Sequence, residues 1–223
     1  MHTPLPRSLA AALCLSLLSA AAQNPARPRI ENDDALVILA TSRPGPKGRL
    51  HDHKVNRVMI YLEEGEQILE HQDGKVENIR FKAGEVLWSP AAGLHTSQNI
   101  SAGSFRVVEV ELKRPPSPAP RTKPSRLDPV RAAPRNFKVE LENDQVRVLR
   151  LRLKPGEQTP VVEHTRDLVV VSMANQSIAL THDDGRTETV ESKDGDMRFA
   201  PAGKVRRTNP GAQPAEEVIV ELK

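Results

Sequence analysis

Short hydrophobic runs, rich in β-branched or large apolar side chains, recur along most of the chain. Those in the first half span residues 36–40, 58–62, 85–88 and 106–112. Turn-forming residues separate the runs at intervals of roughly 8–12 residues, which is the spacing of strands in sandwiches and barrels. Asp73-Gly74 and Asp184-Gly185 are typical hairpin-turn dipeptides, because a type I′ turn needs positive φ at both central residues. We find no convincing amphipathic helix beyond residue 22, so the pattern predicts an all-β protein.

The pattern occurs twice, at a shift of 111 residues. Glu31-Asn32-Asp33 recurs as Glu142-Asn143-Asp144, and the shift holds as far as Pro90, after which the second copy has lost one residue. A period of this length marks two like domains in tandem rather than the units of a solenoid. We therefore assign residues 30–113 to a first domain and residues 136–223 to a second.

Proline and basic residues dominate the segment 114–135 between the two copies, with seven prolines and six basic residues against one acidic residue. Such a composition favours an extended polyproline II linker. Docking on an anionic surface is the functional alternative, but the composition alone suits a solvated spacer. Residues 23–29 are similar, and we expect them to be disordered.

Residues 1–22 have the order of a secretory signal peptide: Arg7 in a short polar start, an apolar stretch, then three alanines before Gln23. The apolar stretch is too short for a stable membrane anchor. We expect cleavage before Gln23 and a secreted or periplasmic mature protein without a stable anchor. The alternative is a buried N-terminal helix of a cytosolic protein.

Cysteine content and charge exclude several classes of function. The only cysteine, Cys14, lies in the predicted signal peptide and follows Leu13, where a lipoprotein signal has a small residue. The mature chain would then have no disulfide, no thiol nucleophile and no thiolate metal ligand. The formal net charge of +3 is too small to indicate nucleic-acid binding, and no arginine-rich helix supports it.

Three histidines of the first copy form the candidate site. His51 and His53 come directly before the hydrophobic run 58–62. Because alternate side chains of a strand point to the same face, the two imidazoles project to one side. If the strand that carries His95 pairs with theirs, a third imidazole points to the same place.

These residues resemble the two sequence motifs of the cupins. The residues that match at motif spacing are Gly45, His51, His53 and Gly65 in the first motif, and Gly84, Pro90, His95 and Asn99 in the second. The motif glutamate falls on Arg57 or Val58, and the second-motif glycine falls on Ala92. The resemblance implies two tandem jelly-roll barrels, a bicupin, joined by the proline-rich linker. It implies much less about function, because the same barrel hosts unrelated chemistries.

Three imidazoles favour iron, zinc, nickel or copper over calcium or magnesium, which prefer oxygen ligands. Three protein ligands also leave positions open for water or for a small-molecule ligand. By resemblance, the cupin thiol dioxygenases hold iron with three histidines and no carboxylate. Asp52 and Asn56 are nearby polar residues that could orient the imidazoles, although by parity Asp52 points away from the pocket.

The second copy has lost this constellation. Val162 stands at the place of His51, His164 keeps the place of His53, and the place of His95 falls on Val205 or Arg206. Arg206 and Arg207 could clamp a carboxylate, but we favour exposed rim arginines. His71 and His182 precede the matched hairpin turns, which indicates a geometric role in the hairpin rather than a ligand role.

The predicted function is an exported protein that binds a divalent transition metal and a small molecule in its first barrel, with no assigned reaction and a structural second barrel. One alternative is a metal-dependent oxygenase or isomerase acting on a small oxygenated substrate. Another is a metal-free structural or interaction module. The oligomeric state is not indicated.

Overall fold

The computed structural model describes residues 28–116 and 125–223, and within them the chain forms eighteen strands and one short helix. The first copy contains β1 Pro28–Glu31, β2 Ala35–Ser42, β3 His51–His53, β4 Arg57–Tyr61, β5 Gly65–His71, β6 Val76–Phe81, β7 Val86–Ser89, β8 Ala92–Asn99 and β9 Phe105–Leu112. The predicted signal peptide, residues 1–22, and residues 117–124 of the predicted linker lie outside the described residues.

The second copy repeats the same series of strands after the helix. It contains α1 Pro129–Ala132, β10 Phe137–Glu142, β11 Val146–Leu153, β12 Val162–His164, β13 Leu168–Ser172, β14 Gln176–His182, β15 Thr187–Ser192, β16 Met197–Ala200, β17 Gly203–Thr208 and β18 Ala215–Leu222. No helix of the described residues is long and apolar enough to span a membrane.

Each copy folds into a barrel of two antiparallel sheets. In the first barrel the strand orders are β1-β2-β9-β4-β7 and β3-β8-β5-β6. In the second they are β10-β11-β18-β13-β16 and β12-β17-β14-β15, which are the same orders carried forward by one repeat. The prediction of an all-β chain with two tandem jelly-roll barrels is confirmed.

The predicted hairpins join β5 to β6 and β14 to β15, but their turns are not of type I′. Gly74 and Gly185 have φ of 87° and 83°, while no other residue type has positive φ in the described ranges. In each turn the glycine N–H donates to the histidine carbonyl three residues earlier, at 3.0 Å. A turn of this kind followed by a left-handed glycine is the three-residue hairpin with a G1 bulge, which needs positive φ at one residue only.

The two barrels pack back to back through the outer faces of their five-stranded sheets. We call the buried side chains of this contact the inter-barrel cluster. It consists of Ala35, Val37, Val58, Ile60, Leu62, Val108, Val110 and Leu112 with Val146, Val148, Val169, Val171, Val218, Val220 and Leu222. Val58 and Ile60 of β4 belong to it, whereas Met59 and Tyr61 point into the first barrel. β4 is therefore buried on both faces, which explains its continuous apolar run.

Polar contacts fasten the rim of this interface. Arg106 Nη2 donates to Asp194 Oδ2 across the barrels at 2.6 Å. Arg150 Nη2 donates to the carbonyl of Gly84 in the opposite direction. Asn56 Nδ2 donates to Gln145 Oε1 at 2.6 Å.

The two barrel interiors differ in composition. Tyr61 stacks on Phe81 with ring centroids 3.6 Å apart, and Phe105 completes an aromatic cluster inside the first barrel. The core of the second barrel contains Phe137 but is otherwise aliphatic, and it includes Val162 and Val205. Trp88 packs against the inter-barrel cluster.

Two stretches expected to lack structure are ordered in part. Pro28 and Arg29 begin β1, so the disorder expected for residues 23–29 does not extend to them. Residues 125–135 do not form an extended spacer, because Asp128 caps α1 and accepts two bonds from Arg147 of β11. Ala133 is buried in the core of the second barrel.

Candidate metal centre

Strands β3 and β8 bring the three candidate histidines together. His51 lies directly opposite His95 in the antiparallel register, and His53 is two residues further along β3, on the same face. The ring centroids are 5.0 Å apart for His51 and His53, 4.6 Å for His51 and His95, and 5.4 Å for His53 and His95. One ligand nitrogen from each ring lies within 4.8 Å of the other two. Their role as metal ligands stays a prediction.

Backbone carbonyls orient two of the rings. His51 Nδ1 lies 2.9 Å from the carbonyl of Arg49, and His95 Nδ1 lies 2.8 Å from the carbonyl of Gly93. Because a carbonyl only accepts, each Nδ1 must carry the proton. The lone pair is therefore on Nε2 of both rings, which is the form in which neutral imidazole binds a metal.

The third ring has different neighbours. His53 Nε2 lies 2.9 Å from Arg57 Nη1, and since guanidinium has no acceptor, Nε2 accepts this bond. His53 Nδ1 then carries the proton and faces Glu111 Oε1 at 3.8 Å. All three Nδ1 atoms thus face acceptors, but the lone pair of His53 is engaged by Arg57.

Arg57 is buried beside His53. Its Nη1 also donates to Glu109 Oε2 at 2.7 Å, and its Nη2 donates to Ser89 Oγ at 2.9 Å. Glu111 lies opposite Arg57 in the β4–β9 register, and its carboxylate makes no hydrogen bond within the described ranges. His53, Glu109 and Glu111 form a second group whose ligand atoms lie within 4.8 Å of one another.

Burial shifts the pKa of two of the three imidazoles and of one neighbouring carboxyl. Desolvation, with the charge of Arg57 second, lowers the pKa of His53 to about 3. Desolvation also lowers the pKa of His95. Burial, helped by the nearby Glu109, raises the pKa of the Glu111 carboxyl. Desolvation therefore favours the neutral form of His53 and His95, which is the form that binds a metal.

His71 lies beside the three histidines, which the sequence reasoning did not anticipate. It is opposite His95 in the β5–β8 register, with ring centroids 5.5 Å apart. Its Nε2 is 3.0 Å from Glu77 Oε1 across the hairpin, without the geometry of a hydrogen bond. The equivalent His182 and Glu188 are 2.9 Å apart, so the pair recurs in a barrel whose described residues hold no group of candidate metal ligands. The repetition supports the geometric role in the hairpin.

The second barrel keeps one histidine in a closed ionic network. Val162 faces Val205 in the β12–β17 register, so Val205 holds the place of His95. His164 Nδ1 is 2.7 Å from Glu221 Oε1, and its Nε2 accepts from Arg207 Nη1 at 3.1 Å. The expectation of a rim arginine was wrong for Arg207, which is 2% exposed, because β17 turns its side chain into the barrel.

The side chains at the first-barrel site fit a transition metal in part. His51 and His95 present free, oriented lone pairs, and neutral imidazole suits iron, zinc, nickel or copper. His53 fits only when its Nε2 is released from Arg57, since a ring nitrogen has one lone pair.

The candidates for orienting the imidazoles were wrong. Asp52 pairs with Lys54 at the surface, while Asn56 bonds Gln145 and the Ala91 N–H. Arg57, Glu109 and Glu111 were missed in that role. The pairing of β4 with β9 is the signal that would have found them.

Solved structures share this two-barrel architecture. AerE from Microcystis aeruginosa superposes with a TM-score of 0.62 at 12% identity, covering 85% of this chain and 88% of that chain. Oxalate decarboxylase from Bacillus subtilis, a protein with Mn(II) centres, gives 0.60 at 12% identity over 86% and 70%. A cupin 2 conserved barrel domain protein from Leptotrichia buccalis gives 0.52 at 10% identity over 89% and 88%. The chain therefore has the cupin fold, in its two-barrel form.

One curated protein is similar in sequence. The chain is 26% identical over 87 residues to 3-hydroxyanthranilate 3,4-dioxygenase from Cupriavidus pinatubonensis. The match covers 39% of this chain and 46% of that protein, so it spans less than half the length of either. No family model matches the chain.

Proposed function

We propose that the chain is an exported bicupin that binds one divalent transition metal through His51, His53 and His95, and a small molecule beside it. The observation that carries this proposal is the convergence of three imidazoles from two paired strands, with ligand nitrogens within 4.8 Å. A bound metal would supply a Lewis acid and open positions for water or a ligand.

The chain's own groups would prepare the pocket for that metal. The carbonyls of Arg49 and Gly93 hold two rings with Nε2 available, and Glu111 faces the Nδ1–H of the third. A carboxylate beside the second nitrogen of a ligand histidine fixes its tautomer and orientation. Since the three ligands are neutral, the metal charge attracts an anionic small molecule.

Metal stoichiometry tests the proposal. We expect one equivalent of Zn²⁺ on the reconstituted wild type, measured by elemental analysis after gel filtration. His95→Ala should lose most of it, because it removes one oriented ligand. The matched control His164→Ala should keep it, because the second barrel retains one of the three motif imidazoles, and Arg207 donates to that ring. Metal-free wild type, or equal loss in both variants, would contradict the proposal.

The second candidate function is a metal-dependent oxygenase, or an isomerase, acting on a small oxygenated substrate. The partial similarity to a dioxygenase favours the first of these. Oxygen uptake by Fe²⁺-loaded wild type, absent in His95→Ala, would separate it from a binding protein.

Export is proposed from the order of charged, apolar and small residues in positions 1–22. The intact mass of protein recovered outside the cytoplasm should correspond to a chain beginning near Gln23. A mass that includes residues 1–22 would refute export by cleavage.

A further inference from the structure

The lone pair of His53 Nε2 already accepts a hydrogen bond. Arg57 Nη1 lies 2.9 Å from it and donates to it. A zinc ion would need to lie about 2.0–2.1 Å from the same nitrogen, along the same lone pair. The guanidinium and the metal therefore cannot bind His53 Nε2 together.

The second barrel shows the same arrangement, built from a different strand. Arg207 reaches His164 Nε2 from β17 at 3.1 Å, whereas Arg57 reaches His53 from β4. By position in the repeat, Leu168 replaces Arg57 and Ser97 replaces Arg207. Two unrelated positions thus place a guanidinium on the same histidine nitrogen, which indicates that this place in the barrel holds a cation.

We propose that Arg57 and the metal compete for Nε2 of His53, so that Arg57 sets the metal affinity of the first barrel. The inference rests on the proposed function, since it assumes the three-histidine centre. Arg57 keeps Glu109 and Ser89 as hydrogen-bond partners when it leaves His53. Release is therefore less costly than for Arg207, which is 2% exposed and whose remaining contact, with Glu217, is 3.4 Å long.

Substitution of Arg57 should tighten metal binding. In Arg57→Met the third imidazole is free, and we expect the Kd for Zn²⁺, measured by calorimetric titration of the full mature chain, to fall about tenfold to a hundredfold. That range corresponds to removing one competing hydrogen bond from a charged donor. The double variant Arg57→Met/His53→Ala should not show this decrease in Kd, because it lacks the third imidazole.

A second variant separates competition from charge. Arg57→Met leaves Glu109 without its ion-pair partner, and that carboxylate alone could attract the metal. Arg57→Met/Glu109→Gln removes both charges. If Arg57 competes for His53, the Kd for Zn²⁺ is still lower than in wild type. If the unpaired Glu109 attracts the metal, the Kd returns to the wild-type value. Arg80→Met, on β6 of the same barrel, controls for the loss of one positive charge.

The outcomes are distinct. Wild type that binds Zn²⁺, with an unchanged Kd in both Arg57 variants, would overturn the competition and leave the proposed function standing. A lower Kd for Zn²⁺ in Arg57→Met but not in Arg57→Met/Glu109→Gln would also overturn the competition. Absence of Zn²⁺ binding in wild type and in both variants would overturn both proposals.

Discussion

The two barrels share one arrangement of strands, but the candidate site differs between them at two of the three histidine positions. His51 and His95 lie opposite each other in the first barrel, and Val162 and Val205 lie opposite each other at the same places in the second. The strand orders are unaffected by the exchange. The barrel is held by its inter-barrel cluster and its aliphatic or aromatic core, so the site can be gained or lost without changing the fold.

The histidine retained in both barrels shows a finer difference. His164 and Glu221 are 2.7 Å apart, whereas the equivalent His53 and Glu111 are 3.8 Å apart. In the second barrel both ring nitrogens are satisfied inside a buried network. In the first, the carboxylate has no close partner within the described ranges. A histidine, a glutamate and an arginine thus meet in both barrels. They are joined by hydrogen bonds on both sides of the ring in the second barrel, and on one side only in the first.

The largest predicted effect is on stability, and it compares the two arginines. Arg207→Met should lower the free energy of unfolding by about 3 kcal/mol, because breaking a buried ionic network costs about 3–5 kcal/mol. The lower end applies because Arg198 still pairs with Glu217 at 2.9 Å. Arg57→Met should cost about 1–2 kcal/mol, since the Glu109 side chain is 16% exposed and that of Glu217 only 2%.

Urea unfolding of the metal-free protein at neutral pH measures both values. Arg206→Met, next to Arg207 but exposed, is the matched control and should change stability by less than about 0.5 kcal/mol. A loss for Arg57→Met equal to or greater than that for Arg207→Met would show that the first pocket is as closed as the second.

The fold of two tandem barrels could be predicted from the sequence because it depends on local and repeated signals. Strand period, turn dipeptides and the shift of 111 residues each leave a pattern that can be counted. The meeting of His51 and His95 followed from parity together with motif spacing. The sequence left two alignments possible at the deleted residue. Only the β12–β17 register shows that Val205, rather than Arg206, occupies the place of His95.

The arginines could not be predicted in the same way. Parity places a side chain on a face, but the end of a long arginine goes where the other strands provide acceptors. Arg57 finds Glu109 on β9 and Ser89 on β7, and Arg207 lies 3.4 Å from Glu217 on β18. These partners are 10 to 52 residues away in sequence and share no motif. The general tendency of arginine to be exposed therefore gave the wrong answer for Arg207.

The smallest predicted effect is the pH dependence that the retained histidine gives the second barrel. Desolvation lowers the pKa of His164 in the folded chain, although Glu221 opposes this. Below about 6.5, the ordinary histidine value, the unfolded chain then binds more protons than the folded chain. Stability therefore falls as the pH drops from about 6.5 towards 5, by up to about 1.4 kcal/mol per pH unit for one such group.

His164→Asn should flatten this slope in metal-free buffer, whatever it does to stability at neutral pH. Val162→Ala is the matched control, because it loosens the packing beside His164 without removing a titrating group, so its slope should equal that of wild type. The window above pH 5 is chosen because the carboxylates with lowered pKa, such as Glu140 and Glu216, stay ionised there. Glu111, whose pKa is raised, contributes with the opposite sign and is common to all three proteins. An unchanged slope in His164→Asn would mean that the folded second barrel accepts the proton as readily as the unfolded chain, and that the network around Arg207 is open after all.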